Sequence, residues 1–181
     1  MHNIYSIIAL TKREFIINYR NFSDILSILS FFLLGILIFI FSIGADKEVF
    51  SQISTGIIWT LILLSNTLAI KKIFQDDFDD NSFYIFHMSG LSYEIIALTK
   101  IIIFWILVQL PFIIIIPIGG LLLNTELINL KFILLSFLIG SVTITCITSI
   151  SSSMNLLNKK NFAVGSLIIM LLSIPVIIFS V

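Results

Sequence analysis

The sequence predicts an all-α, polytopic membrane helix bundle, and three observations predict it. Hydrophobic residues fill 59% of the 181 positions and charged residues only 11%, against about 25% charged in a typical soluble domain. Five apolar stretches, at 25–44, 53–70, 101–123, 132–157 and 162–181, are close to or above the roughly 20 residues a helix needs to cross the hydrocarbon core. None of the five contains an Asp, Glu, Lys or Arg, so every charge falls in a connection or at the N-terminus. With no water in the lipid, the backbone of each stretch must satisfy its own hydrogen bonds, which selects helices. Five spans and no period-2 alternation leave no route to a barrel.

Composition excludes several function classes. Lys plus Arg and Asp plus Glu each number 10, so no basic excess points to nucleic acid. The single cysteine, Cys146, cannot form an internal disulfide, and with only His2 and His87 there is no Cys/His metal cluster. No cleavable signal peptide is expected at the N-terminus.

Residues 1–24 precede the first span. On a helix advancing about 100° per residue, Ile4, Ile8, Phe15, Tyr19 and Phe22 share one face, and Arg13 and Arg20 lie well away from it. This is the pattern of an amphipathic helix lying on the membrane surface, although Leu10 and Ile17 interrupt its polar side. Orientation follows from Lys and Arg. With the N-terminus inside, inner segments hold Lys12, Arg13, Arg20, Lys71, Lys72, Lys100, Lys159 and Lys160, and outer loops hold only Lys47 and Lys131. Eight against two selects a cytoplasmic N-terminus.

The longest polar connection, 71–100, is then cytoplasmic and carries Asp76, Asp77, Asp79 and Asp80, four of the six aspartates. As a helix it sets Asp76 and Asp80 on one face at i, i+4, with Phe74 and Phe78 as a parallel apolar pair. Carboxylates packed this closely repel unless cations answer them, so the segment suits a basic partner. A solvated acidic loop explains the same spacing equally well. In the fourth span Ser141, Thr145, Thr148 and Ser152 recur at helical spacing, either as a packing seam or as a polar path. Pro111 and Pro117 predict a kink in the third span.

Phe74-x-x-Asp77-x-x-Asp80, preceded by Gly56-Ile57-Ile58-Trp59 at the start of the second span, resembles the haem exporter protein B family, the membrane subunit of an ABC-type complex in cytochrome c maturation. Where the family motif continues with glycine this chain has Asn81, and Gly90 lies near the family's proline; both tolerate a left-handed backbone. The resemblance implies an ABC-exporter-like membrane subunit in the bacterial inner membrane, or the mitochondrial one. It implies six spans, so one is expected to be missing here. It implies a division of labour as well, since nothing in the chain matches G-x-x-x-x-G-K-[ST]. A separate ABC ATPase subunit would bind ATP, with Phe74, Asp76, Asp77, Phe78, Asp79 and Asp80 as the coupling contact. Its further implied partners are a haem-handling membrane subunit and a periplasmic haem chaperone, with haem as the transported ligand; a homodimer is compatible with it. No resident cofactor or metal and no catalytic residue is implied.

Two other functions compete. A stand-alone secondary transporter commonly places ionisable groups within the bilayer, and the five spans have none. An Asp-rich, Mg²⁺-dependent prenyltransferase is suggested by Asp76-Asp77-Phe78-Asp79-Asp80, but such enzymes need a second acidic cluster, and beyond Glu94 the only acid is Glu126. His87 is a lone histidine that reads either as solvated or as a haem ligand.

Overall fold

The computed structural model describes residues 2–44, 47–157 and 162–180, and among these no strand occurs. The chain forms α1 (His2–Arg20), α2 (Phe22–Ile43), α3 (Lys47–Leu68), α4 (Ile70–Asp79), α5 (Ser82–Met88), α6 (Tyr93–Phe104), a π-helical turn (Trp105–Gln109), α7 (Leu110–Leu122), α8 (Leu127–Leu157) and α9 (Phe162–Ser180). Among the described residues four helical stretches are long and apolar enough to cross a membrane: Phe22–Ile43, Glu48–Asp79, Tyr93–Leu122 and Leu127–Leu156. The fifth predicted span appears as α9, whose 19 residues lie at the short end of the crossing range. Lys159, Lys160 and Val181 lie outside the described residues.

The second span does not stop where its apolar run stops. Only Ala69 separates α3 from α4, with its N–H donating to the Asn66 carbonyl, and the helical path continues to Asp79. The predicted polar connection is therefore itself mostly helix. It turns at two positions with positive φ, Asn81 at 58° and Gly90 at 87°, where Asn and Gly tolerate the left-handed region.

The third span bends for an identifiable reason. Pro111 has no N–H, and in a regular helix its ring would press on the carbonyl four residues before it. The chain widens by one residue instead. The Leu110 N–H reaches back to the Trp105 carbonyl, an i to i−5 bond. Pro117 sits inside α7.

The α3–α4 stretch is the most enclosed of the spans and touches α2, α7, α8 and α9. Its Trp59 meets Phe137 of α8 at 6.2 Å between centroids. Phe112 of α7 links Phe137 at 6.1 Å to Phe32 of α2 at 5.5 Å, the latter pair edge to face. All four rings are essentially inaccessible. Gly140 of α8 provides the seat for Trp59, since a Cβ there would lie 2.6 Å from the indole Cη2. By contrast, Gly56 has open space beside it.

Gly140→Ala is expected to overpack this junction and cost about 1–3 kcal/mol. Gly56→Ala should be neutral, or stabilise by up to about 1 kcal/mol by removing a helix-interior glycine. Thermal unfolding of the two purified variants in detergent checks the contrast; equal midpoints would contradict it.

Candidate functional site

The chemistry-bearing side chains gather at one end of the bundle, where α1, α4, α5 and α6 meet. Buried within a predominantly apolar structure, Glu14, Asp77 and Lys100 are only 5%, 6% and 5% exposed. With half-buried Arg13 they close a ring of alternating charge. Arg13 donates Nη1 to Glu14 Oε1 at 2.7 Å and Nη2 to Asp77 Oδ1 at 2.7 Å. Lys100 Nζ donates to Glu14 Oε2 at 2.8 Å and pairs with Asp77 Oδ2. Two cations and two anions each meet both neighbours, so the ring is neutral and both carboxylates use both oxygens.

Each member is positioned by its element. Arg13 and Glu14 are consecutive on α1, and their side of the helix also carries Leu10, which is buried in a small cluster with Leu91 and Ile96. Asp77 is on α4, one turn beyond buried Ile73 and Phe74. Lys100 lies on α6 with buried Ile96 and Ile103 around it. Arg13 also stacks over the Phe86 ring of α5 at 4.9 Å, and Phe86 continues through Phe83 to Phe74. Burial opposes the Arg13 charge, but the hydrogen bond and charge of Asp77, followed by those of Glu14, outweigh it, and the guanidinium holds its proton more tightly than usual.

The six predicted contact residues divide into two sets. Phe74 and Asp77 point inward and are engaged within the chain. Asp76, Phe78, Asp79 and Asp80 are exposed. Asp79 accepts from Gln75 Nε2 at 3.0 Å. Asp76 and Asp80 line a cleft of about 280 Å³ together with all four ring members and with Asn18, Asn21 and Asp24. Next to it α5 exposes Tyr84, Ile85 and Met88. His87 stacks on Tyr93 at 4.6 Å, with its Nδ1 3.1 Å from the Leu91 carbonyl. Among the described residues no three His, Cys, Asp or Glu side chains form a metal-binding group.

The predicted stripe of α8 is buried throughout: Ser141 1%, Thr145 1%, Thr148 0% and Ser152 2% exposed. Thr145 and Thr148 bond back to the Ser141 and Ile144 carbonyls, and Ser141 Oγ accepts from Trp105 Nε1 at 3.0 Å. The neighbouring Ser151 donates to the Gly165 carbonyl of α9. Ser152 Oγ and Asn155 Nδ2 find no partner among the described residues. One further polar pair joins two spans: Gln109, at the π turn, donates to Asn66 of α3.

Sequence reasoning missed Arg13, Glu14 and Lys100 as a set. The available signal was an acid, Glu14, inside an otherwise basic N-terminal helix, on the same side as Leu10, which spoils a polar face only if that face is meant for water.

The fold and this end-on charged site define an all-α, multi-pass membrane protein with a built connection between its spans and its polar segment. The family model described as CcmB protein matches residues 5–181, and the chain belongs to this family. A relative from Haemophilus influenzae, called heme exporter protein B, is 35% identical over 96% of this chain and 78% of its own length. Relatives of the same name from Bradyrhizobium diazoefficiens and Pseudomonas aeruginosa are 28% and 25% identical over 96% and 98% of the chain, and 78% and 79% of their own lengths.

Removing one member of a buried, hydrogen-bonded ion pair costs about 3–5 kcal/mol, because the other is left uncompensated. Asp77→Asn and Lys100→Met should each lower the stability of the purified chain by about that much. The double variant, which leaves Arg13 and Glu14 as a balanced pair, should recover most of the loss. Chemical or thermal unfolding of the four proteins gives the coupling; additive losses would contradict a closed ring.

Proposed function

We propose that this chain is the membrane subunit of an ABC-type complex for cytochrome c maturation, taking part in ATP-driven haem delivery or in release of a haem-loaded chaperone. The observation that carries the reading is the exposed acidic and aromatic end of α4 and α5 in a chain with no nucleotide-binding loop of its own. A separate ABC ATPase would dock there. Its contact set is narrower than the sequence motif: Asp76, Phe78, Asp79 and Asp80 face the ATPase, Tyr84, Ile85 and Met88 offer it an apolar ridge, and Phe74 and Asp77 hold the segment from behind. The chain itself is non-catalytic in this reading. Haem is a transported ligand rather than a resident cofactor, and ATP is bound by the partner. A haem-handling membrane subunit and a haem chaperone on the opposite side complete the complex.

The same reading sets the N-terminus and the α4–α5 end in the cytoplasm and the protein in the inner membrane. The lysine and arginine bias supports this, and so does α1. Its predicted apolar residues Ile8, Phe15 and Tyr19 are exposed on the side away from the buried Leu10 and Glu14, as they would be in a helix resting in the lipid interface, and Phe22, which opens α2, is exposed as well. Ile4 lies among the residues whose side chains are not described.

Asp76, Asp79 and Asp80 changed together to Asn should reduce recovery of the ATPase with this subunit at matched expression, and lower cytochrome c maturation in step. Where such carboxylates meet cations at a desolvated interface, each truncation costs about 2–5 kcal/mol; where they are merely solvated, about 0–1 kcal/mol. Normal recovery and maturation would overturn the docking role. For topology, a cysteine replacing Lys131 should react with an impermeant thiol reagent in intact cells, and one replacing Lys71 should react only after permeabilisation. The reverse pattern would overturn the orientation.

A further inference from the structure

Three members of the charge ring, Arg13, Glu14 and Lys100, lie outside the acidic segment that the docking role uses, and two of them lie on the N-terminal helix. The ring's long-range bonds join residues 64 and 86 positions apart, so it is a tertiary fastening and not local helix chemistry. It is not alone. Leu10 is buried with Leu91 and Ile96, Arg13 covers Phe86, and Ser6 Oγ donates to the Ser89 carbonyl at 3.3 Å. One side of α1 thus contacts both ends of the segment that runs from α4 through α5 to α6.

An anchor would need only the apolar contacts. Buried ion pairs add little net stability over apolar side chains of the same volume, because desolvation offsets their attraction; what they impose is one geometry. Arg13 and Asp77 meet through a directed guanidinium–carboxylate bond, and Lys100 fixes both carboxylates from the other side. A displacement of α4 relative to α1 or α6 would leave a buried charge unpaired.

We propose that α1 is a positioning element of the coupling segment. Through Arg13 and Glu14 it clamps α4 and α6 into one body, and so sets the angle at which Asp76, Phe78, Asp79 and Asp80 are presented to the ATPase. This rests on the docking role proposed above. Arg13, Glu14 and Lys100 act through Asp77 and touch no partner themselves.

Exchange of charges tests this without changing composition. Swapping the two α1 residues, as Arg13→Glu with Glu14→Arg, sets like charges against Asp77 and Lys100. Swapping Asp77→Lys with Lys100→Glu does the same from the other side. All four changes together restore alternation in reverse order. With the subunit co-expressed with its ATPase, the inference expects each pairwise swap to reduce ATPase recovery about fivefold or more, and the four-residue reversal to regain most of it. Full recovery in the α1 swap would overturn the inference. So would a four-residue reversal that reaches the membrane at wild-type level yet fails to bind, because Asp77 would then be a direct partner contact. If the reversed protein does not insert, Arg13→Gln decides. It removes the half-exposed member alone, and should lower recovery while leaving insertion unchanged; undiminished recovery overturns the inference. The Asp76, Asp79, Asp80 triple variant separates the two levels. If it binds normally, the docking role itself fails; if it loses binding while the α1 swap keeps it, only the positioning role fails.

Discussion

Four charges, two of each sign, meet at one end of this bundle, three of them buried and Arg13 half-buried, and the arrangement around them depends on their cancelling. Each buried ion carries a desolvation penalty of several kcal/mol, so Glu14, Asp77 and Lys100 are tolerable only while each keeps both of its partners. That requirement sets the distance from α1 to α4 and from both to α6. It also explains why α4 continues as helix past the apolar run of α3: Asp77 must reach the ring, and two further turns of helix carry it there. The neighbouring acids Asp76, Asp79 and Asp80 are then displayed outward.

The interior of the bundle is governed by shape. Trp59, Phe137, Phe112 and Phe32 form a chain of ring contacts through four helices, and glycines let the backbones close around them. In lipid, apolar burial gives helices little reason to associate, so close packing and interhelical hydrogen bonds carry the load. The Ser141-to-Ser152 stripe is buried along α8, with Thr145 and Thr148 bonded back to their own helix. Three interhelical bonds, Trp105 to Ser141, Gln109 to Asn66 and Ser151 to the Gly165 carbonyl, tie neighbouring helices together. Two of them begin at the π turn imposed by Pro111, so the same proline that widens the third span also aims Trp105 and Gln109 at their partners.

Much of the fold was legible because lipid imposes a simple rule on composition. Apolar runs without charge pointed to a membrane helix bundle, Pro111 marked the bend, and Asn81 and Gly90 marked the turns by their tolerance of positive φ. The amphipathic reading of α1 set Ile8, Phe15 and Tyr19 apart from Arg13, but took the side with Arg13 for the watery one, whereas Arg13 is half-buried there beside buried Leu10 and Glu14. Leu10 was the sign that this side packs against protein. For the site, the acidic segment was visible from its spacing, yet spacing could not divide it into inward Phe74 and Asp77 and outward Asp76, Phe78, Asp79 and Asp80. That division depends on cations dozens of residues away, and a pairing between Asp77 and Lys100 or Arg13 leaves no local pattern. Lys100, at the edge of a span, looked like an ordinary boundary lysine.

In the positioning role proposed above, α1 and the acidic segment form one body held by the ring. Amide hydrogen exchange of the chain in lipid nanodiscs measures this directly, because elements that open together exchange together. The amides of residues 10–18 are expected to be slow and to exchange in step with those of α4 and the first turns of α6, with Arg13→Gln accelerating all three. Rapid exchange in α1 beside a protected α4 and α6, unchanged by that substitution, would contradict it.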